Sequence, residues 1–483
     1  MMILLLLFFP LLGALLTYLV GDKLAAKVAF AFGVIEFALS VVALMDIRSG
    51  NIATLSFATE WIKNPHIVFA ISADGLSLLM VLLTTFLVPL IILSTFDKQP
   101  SNSRAFYALI LFMQFALVGV FVAMDGFLYY IFWELALLPI YFIAWLWGEG
   151  ADQEFRKKAI FKFFIYTIAG SLFMLLGFIY LYQKAGSFQL QDLYQLQLSD
   201  KEQCWLFVAF FLAFAIKIPI FPFHTWQPDT YKEAPTAGTM LLSGIMLKMG
   251  LYSLLRWLIP VVPHGAICWT PIVMVLCVIG IIYGSIIAIK QNDLKRLVAY
   301  SSIAHVGLIS AGIFTLTKAG FQGAVVQMLA HGVNVVGAFF AGEIILRRTG
   351  TLDISLLGGI RNIAPKFATV FLIVVLASVA LPTTNGFIGE FLLLYGVYEY
   401  NTVLSIFAGL TIILGAVYML RMYQRVMLGQ PNAKTLNFAD LTWSELSVFV
   451  ILISAIFICG VYPKPIFTIA QPALDNIFAL AWR

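Results

Sequence analysis

Apolar runs of about twenty residues, the length that crosses a bilayer as a helix, recur along the whole chain and are separated by short polar connections. The pattern predicts about fourteen spans. They lie near 2–20, 27–47, 76–96, 105–123, 127–147, 160–182, 204–223, 236–258, 267–289, 297–316, 324–346, 368–391, 403–427 and 446–465. No connection is long enough to hold a soluble domain, so residues 1–483 read as one all-α polytopic membrane domain. The longest connection, 48–75, contains LSFATEW and HIVFAIS around Lys63-Asn64-Pro65 and predicts a small β-hairpin at the membrane surface. The first run, MMILLLLFFPLLGALLTYLV, lacks a basic leading region and a small-residue cleavage site, and reads as a retained span.

Composition agrees with a lipid solvent: 62% of residues are hydrophobic, 11% are charged, and the mean hydropathy is +0.97. A soluble protein of this size carries far more surface charge. The net charge of +5 has a topological origin, not a nucleic-acid partner. Of the 29 Lys and Arg residues, nineteen fall in alternate connections beginning with Lys23 and Lys27, and seven fall on the other side. Lys217, Lys248 and Arg256 remain within spans. The positive-inside bias then puts both termini on the non-cytoplasmic side. The four cysteines, Cys204, Cys268, Cys277 and Cys459, form no CxxC pair and sit in or beside apolar runs. Zinc and iron–sulfur ligation are unsupported, and the cysteines read as small packing residues.

The informative residues are ionisable groups inside spans, where an Arg, Lys or Asp costs about 2.5–3.5 kcal/mol at a helix centre. Glu134 lies in YIFWELALLPIY, Lys217 in FAIKIPIFPFHTW, Lys248 in LLSGIMLKMGLYSLL and Glu390 in LPTTNGFIGEFLLLY. Three histidines join them: His224 after a proline break, His305 in YSSIAHVGLIS and His331 in QMLAHGVNVVG. Static ion pairs could account for any one of the four charges, and a hydrogen bond between helices for any one histidine. Seven such groups together point to chemistry, because packing is more readily achieved with small residues and hydroxyls. No HExxH or comparable spacing supports a metal. Glu36 and Glu343 sit nearer span ends and read as interfacial or inter-subunit. The chemistry open to Lys and Glu in a dry interior is proton uptake and release, since burial and a nearby charge move a pKa in opposite senses. A change of about 3 in a pKa is worth roughly 4 kcal/mol. Carrying one charge through 100–200 mV costs roughly 2.3–4.6 kcal/mol. One Glu–Lys switch therefore has the right magnitude to drive a proton step.

Two spans carry helix breakers beside their charge: KIPIFP in the seventh and LPTTNGFIGE in the twelfth. Broken helices at corresponding places point to an inverted repeat and its ion site. An odd offset of five spans gives the halves opposite orientation, with the first repeat at 105–258 and the second at 267–427. Proline and glycine are also common in membrane helices, and the match is imperfect, because Lys217 precedes its proline whereas Glu390 follows its own. A break frees carbonyls and amides that need water or neighbours.

The segment AIKIPIFPFHTWQPDTYKEAPTAGTMLLSGIMLKMG, with FWELALLP, AYSSIAHVG and GFIGEF, resembles the antiporter-like membrane subunits of respiratory complex I, the proton-translocating NADH:quinone oxidoreductase. These are related to subunits of Mrp-type Na⁺/H⁺ antiporters and membrane-bound hydrogenases, which stand as the alternative. The resemblance covers essentially the whole chain. Glu390 is similar to the branch whose broken twelfth helix carries glutamate, where sister branches carry lysine. The resemblance implies a proton path in which Glu134 modulates the central carrier Lys217, Lys248 connects, and Glu390 is the terminal group toward the outer side. His224, His305 and His331 align with polar-axis histidines. It implies no catalytic or redox site, cofactor or metal in this chain. NAD, FMN, iron–sulfur clusters and quinone are expected in partner subunits. The implied partners are other complex I subunits, especially neighbouring antiporter-like ones, and the lipid bilayer of a bacterial inner membrane.

Overall fold

A computed structural model describes residues 1–50, 52–150 and 152–483. The first six long helices are α1 (Met2–Leu19), α2 (Asp22–Arg48), α3 (Gly75–Leu93), α4 (Ser103–Val122), α5 (Gly126–Trp147) and α6 (Gln153–Ala185). A short α7 (Leu190–Gln195) leads to α8 (Asp200–Lys217), α9 (Gln227–Glu233), α10 (Thr236–Leu241) and α11 (Leu247–Ser253). Then come α12 (Pro263–Lys290), α13 (Leu294–Phe314), α14 (Lys318–Thr349), a single turn α15 (Ile360–Ile363), α16 (Pro365–Ser378) and α17 (Asn385–Tyr400). The last three are α18 (Thr402–Met427), α19 (Trp443–Val461) and α20 (Lys464–Ala481). Among the described residues, twelve helices are long and apolar enough to cross a membrane, counting Thr236–Leu258 as one rod.

The other two predicted spans are interrupted. The run 204–223 stops being helical at Lys217 and resumes only at Gln227. The run 368–391 straddles a break between Ser378 and Asn385. A single proline does not explain this, because α1, α3, α5 and α12 continue through Pro10, Pro89, Pro139 and Pro271. Pro219 and Pro222, three residues apart, remove two donors from one turn, which a lone proline does not. At the second break Ala380 (φ 55°) and Thr383 (φ 81°) adopt left-handed backbone on either side of Pro382, a conformation a right-handed helix cannot contain.

Burial sorts the helices. Thr236–Leu258 is fully enclosed and α13 and α14 nearly so (94% and 89%), whereas α2, α18 and α19 are each only 28% buried and present apolar side chains outward. Charges on the enclosed rods are thereby kept off the lipid, where they would cost most. The predicted hairpin is present: β1 (Ser56–Ile62) pairs antiparallel with β2 (Ile67–Ser72), Phe57 opposite Ile71 and Glu60 opposite Val68. β2 is the buried strand and β1 the exposed one. Asn51, in the same connection, lies outside the described residues.

Beyond the last predicted span the chain forms a further helix. α20 buries Ile469, Ala470, Ala473, Leu474 and Ile477, a helical stripe. It touches the start of α3 so closely that a Cβ on Gly75 would lie 1.8 Å from the Ile469 carbonyl oxygen. Its 18 residues are too polar on the opposite face to register as a span.

Two carboxylates expected at interfaces lie inside the fold. Glu343 pairs with Arg347 (2.8 Å) and accepts from Thr236 (2.5 Å). Glu36 sits mid-helix in α2, 1% exposed, with no hydrogen-bond partner for either oxygen. Arg256, within a span but given no role by the sequence, reaches Asp74 at 2.5 Å. Arg348 on α14 holds Glu445 on α19 at 2.6 Å and also donates to the Asp440 carbonyl at 3.0 Å. Glu445 is in turn half of a capping box with Thr442. Removing one partner of a buried pair costs about 3–5 kcal/mol, because the other charge stays buried. Arg348→Ala is therefore expected to lower the thermal unfolding midpoint of the detergent-solubilised protein. Arg348→Lys is expected to fall between the two, and an unchanged midpoint for Arg348→Ala would show that the pair does not tie α19 to α14.

Candidate functional site

The first charged pair is built by α5 and α8. Asp125 caps α5 by accepting from the amides of Phe127 and Leu128 (2.9 and 3.1 Å), which fixes where Glu134 falls along the helix. α8 starts from a capping box between Ser199 and Glu202 and ends on Lys217. The Lys217 side chain is 2% exposed. Its Nζ lies over the rings of Trp133 (5.5 Å) and Phe163 (6.0 Å). Among the described residues it makes no hydrogen bond or ion pair within 4 Å. Glu134 is half-buried, close enough to Ser171 and Lys217 to feel both electrostatically, and its Oε1 has no hydrogen-bond partner. The lysine is thus held by aromatic faces, which stabilise a desolvated cation by about 2 kcal/mol, and is not fixed to any acceptor.

Immediately beyond Lys217 the broken backbone is partly satisfied. Trp226 donates its indole N–H to the Ile216 carbonyl at 2.9 Å, and Ile220 donates to Ala215 at 2.9 Å. His224 lies beside the rings of Phe221 (5.6 Å) and Tyr283 (5.0 Å). Its Nδ1 has no partner, and no described contact joins it to the other predicted site residues.

The second cluster lies between the enclosed rods. Lys248 donates to the Ser243 carbonyl (2.6 Å) and meets His331 Nδ1 at 2.8 Å. The Ser243 carbonyl belongs to a π-helical turn, Leu242–Met246, inserted between α10 and α11. Such turns hold one extra residue and shift side chains off the α-helical register. α14 comes close enough to meet Lys248 because glycines face each other: a Cβ on Gly332 would lie 2.9 Å from the Gly244 oxygen. His331 Nε2 continues to Ser302 (3.0 Å), and the His331 and His305 rings are 5.9 Å apart. His305 Nδ1 is 3.1 Å from Glu390 Oε1, off the line of a hydrogen bond. Glu390 also accepts from Gln327 at 3.3 Å. Ser302, His305, Gln327, His331 and Asn334 line a cavity of about 20 Å³, room for about one water molecule. Asn334 donates to the Ala377 carbonyl at 3.1 Å, beside the end of α16.

Lys248, His331, His305 and Glu390 therefore form one polar file, and Glu134 and Lys217 form a separate pair. No described hydrogen bond links the two. Ser302, Gln327, Asn334 and Ser171 were missed by the sequence reading, which searched spans for charges. The available signal was a run of hydroxyls and amides in apolar segments, as in AYSSIAH and GAVVQMLAHGVN. Among the described residues, no group of three or more His, Cys, Asp or Glu side chains could hold a metal ion.

Residues 123–415 match the family model described as NADH:quinone oxidoreductase/Mrp antiporter, TM. The NADH-quinone oxidoreductase subunit M of Rickettsia conorii is 39% identical over 485 residues, covering 97% of each chain. The NADH-ubiquinone oxidoreductase chain 4 of Arabidopsis thaliana is 35% identical over 474 residues, covering 97% of this chain and 95% of that one. A chain of respiratory complex I from Thermus thermophilus with bound NADH superposes with a TM-score of 0.91 at 28% identity, covering 100% of both chains. A chain of the archaeal membrane-bound sulfane sulfur reductase superposes at 0.86 with 22% identity, covering 96% of this chain and 76% of that one, a likeness of fold alone.

The Gln327–Glu390 contact depends on the absence of a side chain at Gly389, where a Cβ would lie 2.3 Å from Gln327 Oε1 and 2.9 Å from its Cβ. Gly389→Ala is expected to push Gln327 away and to cost about 1–3 kcal/mol by overpacking. The check is the infrared carboxyl band assigned to Glu390 by its loss in Glu390→Gln. A band unmoved by Gly389→Ala would show that Gln327 does not set the environment of the carboxyl.

Proposed function

We propose a proton path on one premise: the chain belongs to the NADH:quinone oxidoreductase/Mrp antiporter membrane family, within its antiporter-like M-subunit (chain 4) branch. It is a multi-pass membrane subunit of NADH:quinone oxidoreductase, respiratory complex I, and works within that assembly. Full-length relatives are named as complex I subunits, which makes an Mrp-type or hydrogenase-type role the weaker reading.

The path runs from Glu134 and Lys217 through Lys248 and the histidines to Glu390, with Glu390 as the exit toward the non-cytoplasmic side. The observation that carries it is the buried file Lys248–His331–His305–Glu390, with contacts of 2.8 and 3.1 Å and a ring spacing of 5.9 Å between its members. Ser302 and Gln327 serve as further donors and acceptors along it. His224 stands apart from the file and is assigned to the region around the first break. The transported ion is the proton: a lysine ammonium has donors only and offers a sodium ion no ligand. We read the chain as fourteen crossings, with α8–α9 and α16–α17 as broken ones inside two inverted repeats at 105–258 and 267–427. In this reading both termini lie outside the cytoplasm of a bacterial cell. Redox chemistry, with its NAD, FMN, iron–sulfur clusters and quinone, belongs to partner subunits. This chain receives the energy as a change in the electrostatics around Lys217.

The reading is tested in the whole complex reconstituted into vesicles, with subunit content checked by mass spectrometry. Lys217→Ala and Glu134→Gln are each expected to lower proton pumping at least about tenfold, a loss of roughly 1.4 kcal/mol or more. Wild-type pumping by fully assembled Lys217→Ala complex would reduce these charges to packing elements.

A further inference from the structure

The proton path leaves unused two thiols on neighbouring helices. Cys204 is half-buried in the second turn of α8 and Cys268 is exposed in the second turn of α12. The helices touch here through their backbones. A Cβ on Gly265 would lie 2.4 Å from the Gln203 carbonyl oxygen. The Gln203 side chain accepts from the His264 amide at 2.9 Å, and the Trp269 indole donates to the Cys204 carbonyl at 3.2 Å. Cys204 and Cys268 are thus bracketed by contacts on both sides, with the two thiols close enough to interact electrostatically. A disulfide requires Cα atoms about 4.4–6.8 Å apart and converging Cβ vectors; the backbone contact at Gln203 and the bond from Trp269, each one residue from a cysteine, hold the two helix starts side by side.

We propose that Cys204 and Cys268 form a redox-sensitive pair that closes to a disulfide and pins the start of α8 to α12. The location favours reaction. Both cysteines lie near helix ends, and Cys204 follows the polar sequence Ser199-Asp200-Lys201-Glu202, so soluble reagents reach them. These ends also lie on the Lys/Arg-poor side, where an oxidising compartment keeps disulfides. The oxidant is a low-molecular-weight disulfide. One thiolate attacks it, forming a mixed disulfide and releasing a thiol. The second cysteine then attacks the mixed disulfide, forming the Cys204–Cys268 bond and releasing the second thiol. The two cysteine protons end on the two released thiols, and the oxidant carries away the two electrons.

The consequence concerns α8, whose other end carries Lys217. A covalent tie to α12 removes freedom of α8 to shift in its length or tilt. The effect on transport rests on the reading of Lys217 as proton carrier, whereas the cross-link itself does not.

The test uses the whole purified complex in mild detergent, treated with oxidised glutathione, alkylated with N-ethylmaleimide and mapped by mass spectrometry. The expected result is a linked peptide pair containing Cys204 and Cys268, reversed by dithiothreitol and absent in Cys204→Ser. Equal alkylation of both cysteines before and after oxidation overturns the pair. In vesicles, oxidation is expected to lower pumping about twofold or more by restricting a conformational step. Dithiothreitol is expected to restore the rate, and Cys204→Ser to be insensitive. A cross-linked complex that pumps at the unoxidised rate overturns the pinning of α8 and leaves the role of Lys217 to its own variants.

Discussion

A helix broken inside a membrane leaves amides and carbonyls that lipid cannot satisfy, and the arrangement of this protein follows from that constraint. The interruptions after Lys217 and after Ser378 need protein groups or water to take up the freed amides and carbonyls. Trp226 supplies an N–H to the Ile216 carbonyl, and Asn334 supplies one to the Ala377 carbonyl. Asn334 comes from α14 and Trp226 from the break itself, so each interruption is closed by a side chain placed for it. The breaks are enclosed only in part: Ile218, Pro219 and Ile220 are buried at the first, whereas Leu381, Pro382 and Thr383 are exposed at the second before the chain is buried again at Thr384.

Lys217 and Lys248 solve their desolvation differently. Lys248 is fixed by the Ser243 carbonyl and His331, so any change in its charge is passed at once to a hydrogen-bonded neighbour. Lys217 rests on Trp133 and Phe163 with no fixed acceptor, and the charge it faces is Glu134. A unit charge pair is worth about 4 kcal/mol at 4 Å with an effective dielectric of 20, and about half that at twice the distance. Because Lys217 and Glu134 form no ion pair within 4 Å, a displacement of a few ångströms between α5 and α8 alters the energy of the ammonium by about 1–2 kcal/mol. That is close to the cost of moving one charge across 100 mV. An unfixed lysine is suited to respond to such a displacement, and a hydrogen-bonded one to relay the result.

Charge in an apolar run is conspicuous, so Glu134, Lys217, Lys248 and Glu390 were legible in the sequence, as were the prolines that break α8. The hairpin was legible from its alternation around Lys63-Asn64-Pro65, now β1 and β2. The groupings were not legible. Residues 248, 305, 331 and 390 lie on four helices, and only packing at Gly332 and Gly244 brings two of those helices into hydrogen-bond range. Glu343 looked like an interface residue because it lies near a span end, yet Thr236 and Arg347 enclose it. α20 was overlooked because a hydropathy window averages its two faces. The π-helical turn has no sequence signature, since LSGIM differs little from its helical neighbours.

The separation of the two clusters bears on how a proton would travel between them. Lys217 and Lys248 share no hydrogen bond, but their helices meet at the break. A Cβ on Gly250 would lie 2.5 Å from Ile218 and 3.2 Å from the Phe214 carbonyl oxygen. Ile218 is the first residue past Lys217 and Gly250 is two past Lys248, so any movement of the break presses on the turn that holds the second lysine. That turn adjoins π-helical segments at Leu242–Met246 and Leu254–Leu258, where the α-helical ladder is already interrupted and local re-registration is least costly. In the proposed path the gap between the lysines therefore acts as a point of control. Transfer waits for a rearrangement in which the break of α8 and the rod Thr236–Leu258 move together, and Glu134, acting on Lys217, biases when that occurs.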